Sequence, residues 1–187
     1  MDIFGAKIHT PDYIQGSVGG MITTLSVING AIGAGVSLRV VITLGVINII
    51  SDGFVAAASK YLSARAEEKL LQKENPNAKR SVSPLVSALT SFFSFAIAGM
   101  IPLLPLILKY QQTGDQVRPE KIHHLAYDTY YMMSFVFTAM GLFAVGYVWG
   151  KLENAEAKKV GTEVLLVGGF AACISLMIGD MFHRSSF

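Results

Sequence analysis

The spacing of charged residues constrains this chain more than any other feature. No charge falls between Tyr13 and Leu38, between Ser81 and Leu108, or between Thr129 and Gly150. Val40 to Ser59 is broken only by Asp52, and Val164 to Gly179 extends past Asp180 to Phe182. A helix needs about 20 mostly apolar residues to cross a bilayer. The runs therefore predict an all-α integral membrane protein, multi-pass, with five transmembrane helices near 17–38, 40–62, 84–108, 127–150 and 163–183. Residues 1–187 read as a single transmembrane domain in contact with a lipid bilayer. None of the runs alternates as the strands of a membrane β-barrel do.

Composition excludes the other classes. Charged residues make up 15% of the chain, against roughly 25% in soluble domains, and the mean hydropathy is +0.48. The net charge is +2 with no basic cluster, which argues against a nucleic-acid partner. A lone Cys173 supports neither a disulfide framework nor a cysteine metal finger. No basic n-region precedes the first apolar run, and no convincing cleavage site ends it, so that run reads as retained rather than as a signal peptide. Residues 1–16 read equally as a short interfacial helix or as a tail without structure.

Basic residues predict the orientation. The N-terminal segment and the 2–3 and 4–5 connections share one side, with Lys7, Lys60, Arg65, Lys69, Lys73, Lys79, Arg80, Lys151, Lys158 and Lys159. The other side carries Arg39, Lys109, Arg118, Lys121 and Arg184. The expected N-terminus is cytosolic. Only Ser37, Leu38 and Arg39 separate the first two helices, which predicts a tight antiparallel hairpin. The second helix has no stop signal at the membrane surface and is expected to project into the cytosol until Asn75-Pro76-Asn77.

Few residues offer chemistry. Asp52 lies within a membrane run, where an acid costs about 2.5–3.5 kcal/mol on insertion scales, so it should face a bundle interior or a watered path. Asn48 lies one turn earlier and Ser51 adjoins, giving a polar stripe that is either a structural knot or a site of ionisation. Thr23, Thr24, Ser26 and Asn29 add polar groups to a first helix crowded with glycine, whose surface at Gly16, Gly20, Gly30 and Ala34 suits close helix approach. Pro102 and Pro105 interrupt the third helix and free backbone carbonyls. Met21, Met100, Met132, Met133, Met140, Met177 and Met181 are soft thioethers or gap-fillers. His123 and His124 read as a solvated pair, and Glu67, Glu68 and Glu74 as a solvated face. Tyr127, Tyr130, Tyr131 and Trp149 read as interface anchors of the fourth helix. No catalytic or nucleotide-binding motif is present, so an enzyme is not expected, and no bound cofactor is implied.

Four stretches carry a resemblance. They are Gly20-Met21-Ile22-Thr23-Thr24-Leu25-Ser26, Ser51-Asp52-Gly53-Phe54 followed by Tyr61, Gly99-Met100-Ile101-Pro102-Leu103-Leu104-Pro105, and Gly168-Gly169-Phe170 with Ile178-Gly179. In order along nearly the whole chain, these resemble the vacuolar iron transporter family. The resemblance implies a homodimer that moves Fe²⁺ or Mn²⁺ out of the cytosol in exchange for protons, in a vacuole-like organelle or the cell membrane. It implies a path between subunits lined by helices 1 and 2. On this chain the metal residues would be Asp52, Met21 and Asn48, with Gly19, Thr23, Asn29, Ala56 and Lys60 along the path. The sequence departs from the family motif at three of these positions. Gly19 stands where the family has Asp, Ala56 where it has Met, and Lys60 where it has Glu. The family's large cytosolic domain between helices 2 and 3 is absent. These departures leave a second expectation, a transport-inactive member serving as a structural subunit among other membrane proteins.

Overall fold

The computed structural model describes residues 2–3, 6–7, 10–75, 80–114 and 128–185. Five helices dominate: α1 Thr10–Gly33, α2 Leu38–Glu74, α3 Pro84–Thr113, α4 Thr129–Leu152 and α5 Ala157–Ser185. Before them, β1 (Asp2–Ile3) pairs antiparallel with β2 (Ala6–Lys7). Among the described residues, 2–3 and 6–7 are thus extended where an interfacial helix is one expectation. α1 begins at Thr10, with Pro11 and Asp12 in the first turn, where a fixed φ and an anion both favour a helix start.

Local chemistry sets the other boundaries. Ser37, Ser83 and Asp128 cap α2, α3 and α4, each accepting from a backbone N–H two or three residues on. Gly35 ends α1 at φ +75°, with Val36 N donating to Ala31 O and Gly35 N to Ile32 O, which is the paired-bond Schellman stop. Asn154 does the same for α4 at φ 55°. The second helix has the expected extent, since α2 runs 37 residues, about 55 Å at 1.5 Å per residue and well beyond the roughly 20 residues a bilayer needs.

Helices α2, α3, α4 and α5 are long and apolar enough to cross a membrane. The fifth expected span, α1, does not meet that standard. Its 24 residues give about 36 Å, which is sufficient length. Glycine, serine, threonine and asparagine dilute its hydropathy, and packing explains how. α1 touches all four other helices, and half of its residues are buried. A helix packed by protein on most of its sides has little need to present an apolar surface to lipid. By contrast α2, α4 and α5 expose long apolar faces, for example Phe54, Val55 and Leu62 on α2 and Phe170 and Met177 on α5.

Close backbone approach holds α1 in place. A β-carbon at Gly20 would lie 2.2 Å from Phe95 O of α3, and one at Gly16 would lie 2.6 Å from Ser91 O. At the other end Gly33 and Gly30 meet α5, where a β-carbon on Gly179 would lie 2.2 Å from Gly30 O and 2.9 Å from Ala34 N. The small-residue surface of α1 thus serves helix packing within this chain. The reason is its rotation around the helix, with Gly16 and Gly20 facing α3 and Gly30, Gly33 and Ala34 facing α5.

Candidate functional site

The helices around α1 do not close. Among the described residues α2 touches only α1 and α3, and α5 touches only α1 and α4. This leaves a seam between α2 and α5 where α1 is uncovered. Gly19, Thr23, Ser26 and Gly30 recur at spacings of three and four, so they form one stripe, and all four are half-buried. On α2, Asn48, Asp52, Ala56 and Lys60 recur every four residues and are half-buried as well.

Two contacts fix the register of the hairpin. Asn48 Nδ2 donates to Thr23 Oγ1 at 3.2 Å and to Thr24 Oγ1 at 3.4 Å. Nearer the start of α1, Lys60 Nζ lies 3.1 Å from Asp12 Oδ1. With 48 opposite 23–24 and 60 opposite 12, an antiparallel pair places Asp52 across from Gly19. Asp52 makes no hydrogen bond or ion pair among the described residues. A β-carbon on Gly19 would meet only the Phe95 ring, at 3.4 Å, so space is open on that side. An unpaired, half-buried carboxylate on a helix apolar enough to cross a membrane, beside a small-residue gap, can receive a cation.

Asp12 went unnoticed in the sequence. It is 1% exposed, and its cation partner Lys60 retains 21% of its side-chain exposure. The charge at Lys60 is thus compensated locally rather than projected onto the seam. Nothing in the first-turn sequence announces this pairing, which depends on the register of the whole hairpin.

Other expected site residues are not gathered here. Met21 is 0% exposed and packs with Ala98, Leu142 and Val164, facing α3 and α4. Asn29 is spent on structure, with its Nδ2 donating to Ala172 O at 3.1 Å and its Oδ1 accepting from Tyr131 Oη at 2.8 Å. That bond also removes Tyr131 from the interface anchors, because it is buried in the core. Trp149 is half-buried beside the Met21 cluster. Met132, Met133, Met140, Met177 and Met181 are exposed on the apolar surface, and Met100 packs on the core. Pro102 O accepts from Ser134 Oγ. Glu67 pairs with Arg80 at 2.8 Å. His123, His124 and Tyr127 lie outside the described residues. Among the described residues no three His, Cys, Asp or Glu side chains come together to hold a metal ion.

Together these features define a multi-pass, all-helical membrane protein with one polar seam beside an otherwise glycine-packed helix. The VIT family model matches residues 11–83 and 73–180, so the chain belongs to the VIT family, the vacuolar iron transporters that its motifs resemble. The two matched segments overlap over residues 73–83, from the end of α2 to the start of α3. No curated protein matches the chain closely enough to count as a relative. The family is one of transporters rather than enzymes, and it suggests membrane metal or ion transport for this chain.

Proposed function

We propose that this protein moves a divalent metal ion, Fe²⁺ or Mn²⁺, out of the cytosol, with Asp52 as the group that exchanges metal for proton. The observation that carries the reading is Asp52 itself, half-buried and unpaired on the seam across from Gly19. One carboxylate with Asn48 and Thr23 is a thin ligand set, and the seam faces outward. A second copy laid against it would bring a second Asp52, so a homodimer completes the site. In this reading α1 is a fifth span, central and shielded from lipid once the second copy covers the seam, and the N-terminus is cytosolic by the bias of basic residues. Gly19, Thr23, Ala56 and Lys60 border the path, while Met21 and Asn29 support the scaffold.

Two observations favour a second reading, a transport-inactive member built into a larger membrane assembly. Lys60 clamps Asp12, and Met21 offers its sulfur to the core instead of the seam. Uptake of ⁵⁴Mn²⁺ by proteoliposomes holding the purified protein separates the two. Flux above protein-free vesicles supports transport, and flux equal to them leaves the scaffold.

A further inference from the structure

Away from the seam, α3 and α4 part company. At one end they are pinned by Ser134 Oγ on Pro102 O, by Tyr130 Oη on Gln112 and by Lys109 Nζ on Asp128 at 2.7 Å. Towards the start of α3 they separate and leave a groove of about 610 Å³. Its floor is Ser17 and Met21 of α1, and its walls include Thr90 and Ile97 of α3 and Gly141 and Ala144 of α4. The groove has the volume of about twenty waters. The lining is mostly apolar, so water does not fill it.

We propose that this groove binds one acyl chain of a phospholipid from the leaflet next to the start of α3. Three observations select that occupant. The groove opens sideways between two membrane-spanning helices, and its α3 rim is exposed and apolar, with Leu89 at 47%, Phe93 at 56% and Ile97 at 71%. It runs along α3 from Val86 to Ile101, about 22 Å, or about three-quarters of a hydrocarbon core about 30 Å thick. It ends where α3 and α4 are pinned, a little past the middle of α3. A partner helix would need a seam through both leaflets, whereas an acyl chain needs one. Tyr13 stands half-exposed at the outer end, and Lys151 lies two turns beyond Ala144 on the same face of α4, where a phosphate would sit.

The test uses the full chain in phosphatidylcholine vesicles doped with phosphatidylcholine carrying a diazirine on its sn-2 chain. Photolysis and peptide mapping should place label preferentially on residues 86–101 and on Met21. Ala144→Phe should lower that labelling about tenfold, since excluding even two methylenes costs that much in occupancy. Labelling of α5 near Phe170 should not change. Ala144→Leu, a milder filling, keeps the test available if the phenylalanine variant does not fold. Label spread evenly over α3 and α5 and indifferent to both variants would overturn the proposal. So would efficient disulfide formation between two copies carrying Ile97→Cys in a Cys173→Ser background, which would make the groove an interface between chains.

Discussion

The pairing of Asp12 with Lys60 fixes how α1 lies on α2, and its strength can be worked from the structure. The charges are 3.1 Å apart, with Asp12 enclosed and about a fifth of the Lys60 side chain open. Unit charges at 4 Å attract by about 4 kcal/mol at an effective dielectric near 20 and by about 1 kcal/mol in water. Partial exposure of Lys60 places the coupling between these limits, at about 2 kcal/mol. Lys60→Met leaves an enclosed carboxylate without this cation and should destabilise by about 2–4 kcal/mol. Lys60→Glu, which would restore the family motif, should destabilise more because it sets two carboxylates together. The assay is a double-mutant cycle of Asp12→Asn and Lys60→Met, read by reversible unfolding in mixed micelles. A coupling of about 2 kcal/mol is expected, and additivity within roughly 0.5 kcal/mol would refute the pairing as a structural clamp.

Three further outcomes follow from the packing. Gly20→Ala should destabilise by about 1–3 kcal/mol because its methyl would strike the α3 backbone, whereas Gly19→Ala should be neutral or stabilising by up to about 1 kcal/mol; the melting temperature should fall for Gly20→Ala and not for Gly19→Ala. Tyr131→Phe should cost about 1 kcal/mol by the same unfolding assay, the usual size of a hydrogen bond between membrane helices. Gly19→Asp should fold normally and raise Mn²⁺ affinity measured by calorimetry, since it sets a second carboxylate across from Asp52; unchanged affinity would remove Gly19 from the path.

What could be read from the sequence divides along a physical line. Helix positions follow from charge-free runs because the bilayer penalises every charge along a span, and the length of α2 follows because Ala56 to Lys73 lacks glycine and proline. α5 begins at Ala157, ahead of its apolar run, because a helix continues past the membrane where nothing stops it. Rotation about a helix axis is a different matter. Met21 and Thr23 are near neighbours on α1, yet one faces α4 and the other α2. Composition could not tell which glycines of α1 meet α3 and which meet α5. The Asp12–Lys60 pair joins residues far apart in sequence and needed the register of the hairpin. Asp52 was legible because its cost in a membrane does not depend on rotation.

The most direct measurement is the initial rate of Mn²⁺ uptake by proteoliposomes with Asp52→Asn beside the unaltered protein, at matched reconstitution and melting temperature. Asparagine keeps the volume and most hydrogen bonding but cannot carry charge. If Asp52 exchanges metal for proton, the rate should fall about 10–100-fold, the loss of one charge-assisted contact of about 1.5–3 kcal/mol. Equal rates in the two proteins, with uptake above empty vesicles, would contradict the assignment of transport to Asp52.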